Sequence, residues 1–388
     1  MSTRLKVILW FLMATGFIFG YAGLILPGQT AILETPRPGT YQFQRLHIFL
    51  FNLVCGGTLL LQYTRGALRM SWREWLYLAV SLVFSLMAFL NQYLIAAILA
   101  LCLAVLVESV RIKTFGALPI ELFQTRVSLS RRFHHSAVLC LSLGLIISAG
   151  VILDDTYLHW LNLRNLLLDD FFLGFSFPLS LVTFSIIFSL VRVDVPKWVR
   201  IARESSFWIV TVGVILFFVV IIFGNVPAEL ACAILLLADV VLIFYLFRLD
   251  LADRSEPADF LTSGMTFLVL TGVTGLLLVL WGVVTPTDQH GWNLLLQTHA
   301  YLSLYGWNLA GFTVIVHRHD FPLRLNDLPI ILLHWATTAL LAPLGSIYPI
   351  FAFAAIPAFI TLTGLILLSR PSDRRDRKQV AFPSVPAA

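Results

Sequence analysis

Long apolar runs follow one another along the whole chain, and each is about as long as a helix needs to be to cross a lipid bilayer. A span takes about 20 mostly apolar residues. The 388-residue chain is 59% hydrophobic but only 12% charged, about half the charge of a typical soluble domain. The sequence therefore predicts an all-α, polytopic membrane protein. The predicted spans are 7–27, 43–63, 74–91, 93–110, 134–153, 170–191, 205–224, 227–247, 263–284, 292–315, 328–344 and 347–369.

These spans form one predicted domain, residues 1–370, of about twelve transmembrane helices, and residues 371–388 form a short charged cytoplasmic tail. The third and fourth spans are separated only by the residues Asn91-Gln92-Tyr93, so a re-entrant pair is the alternative there.

The basic residues lie almost entirely in alternate loops between the spans. Of the 26 Lys and Arg residues, 23 fall on the side that also holds both termini, and only Arg37, Arg45 and Arg164 fall on the other. Cytoplasmic loops of membrane proteins carry the excess of Lys and Arg. We therefore expect a multi-pass protein of the bacterial cytoplasmic (inner) membrane with both termini inside. The net charge of +5 has the same explanation, so the expected partner is the lipid bilayer and not a nucleic acid.

Ionisable side chains inside the spans are few, and each is a functional candidate because Arg, Lys or Asp at a helix centre costs at least about 2.5 kcal/mol. His334 lies about one turn inside the eleventh span, where a structural hydrogen bond is favoured over a part in a proton path with His317 or Asp327. Six others lie close to a predicted span end and are expected to reach water: Glu108, His134, His135, Asp169, Asp170 and Glu229.

His47 and His299 differ from these residues in their predicted depth. They lie on the second and tenth spans, about one to two turns inside the membrane from the same face. Two imidazoles on different helices can bind one metal or the iron of one haem. The alternative is that each histidine hydrogen-bonds a neighbouring helix.

The residues around both histidines favour the haem interpretation. The run His299-Ala-Tyr301-Leu-Ser-Leu-Tyr-Gly306-Trp307-Asn308 resembles the His-x-His-x-x-x-x-Gly-Trp-Asn run on the tenth helix of haem-copper oxidase catalytic subunits, including the nitric oxide reductase branch. The run Arg45-Leu46-His47, followed by Asn52 and Gly56-Gly57, resembles that family's second helix, which carries a low-spin haem ligand. The resemblance implies a twelve-helix oxidase-like bundle with haem ligands at His47 and His299.

The same resemblance implies that part of the oxidase site is missing. Tyr301 takes the place of the family's second histidine on the tenth helix, and the sixth and seventh spans, where the family's copper ligands lie, contain no histidine. His134-His135 matches the family's paired histidines only as a dipeptide. We therefore expect haem b and no copper.

The haem is expected on His47 and His299 together or on one of them. Arg45 is a candidate partner for a haem propionate, because a guanidinium suits bidentate binding of a carboxylate. Tyr301 and Trp307 are candidates to pack against the haem ring or to hydrogen-bond to it.

The leading functional hypothesis is a membrane haem protein that binds a diatomic gas or transfers electrons to or from a redox partner. Splitting the bond of oxygen needs several electrons from adjacent metals, so a full oxygen reductase is not expected, and enzymatic activity is left open. The twelve-helix haem proteins of NnrS type, which are linked to nitric oxide stress, are similar in kind, without a motif match along this chain.

Two other classes of function are alternatives. In a proton-coupled secondary transporter, Asp239 would be the coupling carboxylate and Pro178 would mark a broken helix. An enzyme acting on lipid or polyprenyl substrates would use an acidic cluster, for which the candidates are Asp154, Asp155, Asp169 and Asp170.

Overall fold

The computed structural model describes residues 1–25, 41, 43–67, 69–160, 175–192, 194–250, 257–285 and 288–369. The regular secondary structure with assigned bounds in these ranges is entirely helical. Ten of the helices there are long and apolar enough to cross a membrane. The prediction of an all-α, polytopic membrane protein is thereby confirmed.

Two of the predicted spans, the sixth and the tenth, are not among these ten helices. The sixth is described only as the 14-residue apolar helix Phe177–Leu190. The tenth is a continuous helical stretch that changes from α to π and back. Asp169, Asp170 and the predicted tail 371–388 lie outside the described residues.

The α-helices are numbered here in chain order. They are α1 Thr3–Ile25, α2 Phe43–Ile48, α3 Thr58–Arg65, α4 Trp72–Phe89, α5 Tyr93–Phe115, α6 Leu129–Leu153, α7 Phe177–Leu190, α8 Lys197–Phe223, α9 Val226–Asp250, α10 Ala258–Val284, α11 Gln289–Tyr301, α12 Leu309–Val316, α13 Leu328–Trp335, α14 Ala342–Gly345 and α15 Pro349–Leu368. The π-helical segments that join or extend them include Phe49–Gly57, Asp154–Leu158, Leu302–Asn308 and Ala336–Leu341.

The short separator between the third and fourth predicted spans is a tight turn between two full-length helices. Both α4 and α5 are long and apolar enough to cross a membrane, and Asn91 between them has φ +59°. Asparagine tolerates this left-handed conformation better than most residues. The two-span interpretation is confirmed.

The chain divides into two compact units, and the first comprises residues 1–127 and 134–182. In it α1 lies close to α2 and to the π-helical segment after it, because Gly16 and Gly20 present no side chain there. A Cβ atom at Gly20 would lie 3.4 Å from Cγ and Nδ1 of His47, and one at Gly16 would lie 3.2 Å from Cβ of Leu50. Small residues at this spacing let membrane helices approach closely, so the two glycines set the place of His47.

Among the described residues, the second unit comprises 128–133 and 183–369. In it α9 packs against α8 and α10, and α10 packs against α11 and the π-helical segment Leu302–Asn308. A Cβ atom at Gly306 would lie 2.4 Å from the ring of Phe267. Glycine at this position therefore allows the π-helical segment to lie directly on an aromatic ring of α10.

Candidate functional site

His299 in the second unit is held at one ring nitrogen by α10. Its Nδ1 lies 3.0 Å from the carbonyl oxygen of Thr271 and 3.1 Å from Oγ1 of Thr274. The Thr274 hydroxyl lies within donating distance of the carbonyls of Leu270 and Thr271. A carbonyl only accepts, so we assign the ring hydrogen to Nδ1, which donates to Thr271. The other nitrogen, Nε2, then carries a lone pair.

The lone pair of His299 Nε2 has no hydrogen-bond partner in the part of the chain that the structure describes, and the side chain is only half-buried. The ring lies against Gly275, where a Cβ atom would come within 3.2 Å of Cε1. Histidines that bind a metal through one nitrogen almost always donate their other N–H to a carbonyl or carboxylate, which fixes the ring orientation. His299 has this arrangement.

The surroundings of His299 are more open than the rest of the same helical stretch. Residues 294–300 are all half-buried, whereas residues 304–316 are all buried. On α10, the residues that flank Thr274 are half-buried as well. The packing is therefore less tight around His299 than around the second half of the same stretch.

Tyr301 and Trp307, the two aromatic candidates, are buried in the second unit. The hydroxyl of Tyr301 accepts a hydrogen bond from Oγ of Ser346 at 3.2 Å. The ring of Trp307 lies 5.2 Å from that of Phe184, centroid to centroid, and is fully buried. Tyr301 therefore hydrogen-bonds to a protein side chain, and Trp307 packs against one. Contact of either residue with a haem stays a prediction.

His47 and Arg45 lie in the first unit, on the short helix α2. His47 is buried, with its ring against Gly20, and Arg45 is half-buried. The prediction that His47 and His299 serve one haem joins residues of two different units and stays a prediction.

π-helical turns lie within both sequence motifs. The segment Phe49–Gly57 begins two residues after His47, and Leu302–Asn308 begins directly after Tyr301. π turns are rare and are found frequently at functional sites. The sequence offered only a weak indication of them, the glycines of the two motifs.

Side chains satisfy carbonyl oxygens within these π-helical segments. The Tyr77 hydroxyl donates to the carbonyl of Leu53 at 3.2 Å. In the second unit, Nε2 of His334 lies 2.5 Å from the carbonyl oxygen of Tyr305 and donates to it. The prediction of a structural hydrogen bond for His334 is confirmed.

The expectation that His134 and His135 reach water is wrong. Their side chains are 3% and 0% exposed. His134 Nε2 lies 2.9 Å from Oγ1 of Thr64, whose hydroxyl itself donates to the carbonyl of Leu60. His134 Nε2 therefore donates to Thr64 and is occupied.

His135 belongs to a network around Arg111 that sequence reasoning missed. Arg111 Nη1 lies 3.2 Å from Nε2 of His135, and the guanidinium pairs with Glu108 at 2.7 Å. The same guanidinium donates to the carbonyls of Gly116 and Ala117. The network joins the end of α5 and the turn after it to α6, and 27% of the Glu108 side chain is exposed.

Among the described residues, no group of three or more His, Cys, Asp or Glu side chains is placed to hold a metal ion together. Haem iron does not need such a cluster, since the porphyrin supplies most of its ligands and the protein supplies only axial ones. The donor set around His299 fits that requirement.

No protein-family model matches the chain, and a search of curated proteins gives no match. The resemblance to haem-copper oxidases therefore stays a prediction from the motifs.

Proposed function

We propose that this chain is a haem-binding integral membrane protein related to haem-copper oxidases, and that His299 binds the iron through Nε2. The observation that carries the proposal is the hydrogen bond from His299 Nδ1 to the Thr271 carbonyl, at 3.0 Å. This bond leaves the lone pair of Nε2 for a ligand bond, on a side chain that is half-buried. The proposal includes twelve spans, cytoplasmic termini and a bacterial inner-membrane location, which the charge distribution between the predicted loops supports.

The residues of the chain have separate roles in this proposal. Thr271 and Thr274 orient the imidazole of His299, and the carbonyl of Thr271 raises its basicity as a ligand. His47 is the candidate for a second axial ligand, and Arg45 is the candidate partner of a propionate. Tyr301 and Trp307 are candidates to flank the ring.

When bound, a b-type haem supplies an iron that binds a diatomic gas such as nitric oxide or passes an electron to a redox partner. Reduction of oxygen by a haem and copper pair is not part of the proposal, because the sixth and seventh predicted spans contain no histidine. The axial ligand, the burial of the site and its hydrogen bonds are the means by which the protein would set the redox potential.

The direct test is the haem content of the protein purified in detergent from cells supplied with iron. The expected result is one haem b per chain in the wild type and none in His299→Ala. His159→Ala is the matched control, since His159 is exposed at the end of the π-helical segment Asp154–Leu158, and it should keep the full haem content.

The role of His47 is tested in the same preparation. If His47 is the second axial ligand, His47→Ala should keep haem but change it from six-coordinate to five-coordinate, with a matching change in the absorption spectrum. A spectrum unchanged in His47→Ala would remove His47 from the site and leave His299 as the single protein ligand.

The transporter alternative does not share these outcomes. It predicts a wild-type protein that contains no haem and that accumulates a solute in proteoliposomes when a proton gradient is applied. A haem-free wild type, purified from cells that load a control haem protein, would contradict the proposed function.

A further inference from the structure

Asp239 lies in the middle of a membrane-spanning helix and is buried. Along α9, Val226–Asp250, it is about 20 Å from the first residue and about 17 Å from the last at 1.5 Å per residue. The side chain is 3% exposed. It can therefore reach neither end of the helix, and water has little access to it.

The two carboxyl oxygens of Asp239 have different surroundings. Oδ1 accepts a hydrogen bond from Oγ of Ser206 on α8 at 2.7 Å. Oδ2 is buried and has no hydrogen-bond partner among the described residues. One oxygen is thus placed as a hydrogen-bond acceptor, and the other is in position to hold a proton.

The helices packed against α9 bring no charge that would balance an ionised Asp239. On α10 the acidic residue is Asp259, at the exposed start of the helix. On α9 itself, Glu229 and Arg248 are ten and nine residues away in the sequence, about 15 and 14 Å along the helix.

The charged residues of α8 nearest to Ser206 have other contacts. Arg203 donates to the carbonyl of Arg192 at 2.7 Å. Glu204 pairs with Arg132 at 2.6 Å. The structure gives neither of them an ion pair or hydrogen bond with Asp239.

An ionised carboxylate here would carry the cost of a charge at the centre of a bilayer without a cation to offset it. A single hydroxyl donor does not replace the hydration that the carboxylate would lose. Protonation of Oδ2 removes the charge and keeps the Ser206 hydrogen bond to Oδ1.

We propose that Asp239 and Ser206 form a proton-binding site in the middle of the membrane, in which Asp239 holds a proton at neutral pH. One O–H bond forms at Oδ2 and one O–H bond of a hydronium ion breaks, which leaves a water molecule; there is no change of oxidation state. The site is independent of the haem proposal. It would give the chain a group that takes up and releases a proton within the bilayer.

Infrared spectroscopy of the full-length protein in lipid vesicles tests this site. A neutral carboxyl has a C=O stretching band that an ionised carboxylate lacks. The wild type at pH 7 should show such a band, and Asp239→Asn should lose it. Asp259→Asn, which changes an exposed carboxylate in the first turn of α10, is the matched control and should keep the band.

Two further variants keep the test valid if Asp239→Asn does not fold. Asp239→Glu retains a carboxyl and should move the band without removing it. Ser206→Ala should keep the band and shift it to higher frequency, because the C=O group loses its hydrogen-bond donor. A wild-type spectrum without a neutral carboxyl band at pH 7 would overturn the proposal. A carboxylate band that responds to sodium but not to pH would overturn it in favour of a sodium site.

Discussion

His134 and His135 in the first unit differ in their surroundings from His299 in the second. In the first unit, His134 and His135 have neighbours at Nε2, Thr64 at 2.9 Å and Arg111 at 3.2 Å, and the ring of His135 stacks on Phe115 at 4.5 Å between centroids. In the second unit, the Nδ1 of His299 is held by Thr271, and its side chain is half-buried. The region around His134 and His135 is buried, whereas the region around His299 is half-buried.

The hydrogen bonds of these residues distinguish a structural histidine from a candidate metal ligand. Burial alone does not make the distinction, because the two histidines of the first unit are the more deeply buried. The useful observation is which nitrogen is occupied. A histidine oriented through one nitrogen, with the other accessible, has the arrangement of a metal ligand.

The largest expected effect compares these regions directly. His299→Ala should abolish haem binding, whereas His134→Ala should keep haem and lose stability by about 1 to 3 kcal/mol, because Thr64 loses a buried hydrogen-bond partner. Haem absorbance and unfolding in detergent check the two outcomes. Loss of haem in His134→Ala at unchanged stability would show that His134, and not only His299, takes part in haem binding.

Removal of the cation in the buried region should have the next largest effect. Arg111→Met leaves Glu108 without its cation and removes the guanidinium donor from the carbonyls of Gly116 and Ala117, and we expect a loss of about 3 kcal/mol in the free energy of unfolding. Lys113→Met, at an exposed position on the same helix, is the matched control and should stay within about 0.5 kcal/mol. Equal stability of both variants would show that the Arg111 network is not structural.

A smaller effect is expected from the hydroxyl that faces His299. Thr274→Val removes Oγ1 at 3.1 Å from Nδ1 but leaves the Thr271 carbonyl, so haem affinity should fall by about tenfold. Thr266→Val is the control, because the Thr266 hydroxyl on the same helix bonds only within its helix, to the carbonyl of Thr262. Equal affinities in a haem titration would mean that Thr274 does not help to orient His299.

The smallest effect is expected at Tyr301. Tyr301→Phe removes the acceptor of the Ser346 hydrogen bond and should cost about 1 kcal/mol of stability. Haem content and the absorption spectrum should stay the same if Tyr301 only packs. A spectral change in Tyr301→Phe would instead place its hydroxyl beside the haem.

The helical class could be predicted from the sequence because hydropathy depends on composition over about 20 residues, and no detail of packing alters it. The break between α4 and α5 was predicted at Asn91-Gln92-Tyr93, but so short a separator left a re-entrant pair as the alternative. The π-helical segments were not predicted, because π and α turns share the same apolar pattern and differ only in which carbonyls the neighbouring side chains satisfy.

The candidate site was predicted in part. His299 and its motif were visible in the sequence, but its orienting partners Thr271 and Thr274 lie on another helix, and only the fold brings them to the ring. The burial of His134 and His135 was missed for a related reason. Because both residues lie near a predicted span end, we expected them to reach water. In the fold, Thr64 contacts the imidazole of His134 and Arg111 contacts that of His135.

Chemical rescue of His299→Gly is the direct test of whether His299 binds the haem iron. Glycine removes the imidazole and leaves a space of the same size, so free imidazole can take its place as an iron ligand. We predict that purified His299→Gly lacks the haem spectrum of the wild type and regains it when haem and imidazole are added together, but not with haem alone. A variant that keeps its haem without imidazole, or whose spectrum imidazole does not restore, would contradict the assignment of His299 as the iron ligand.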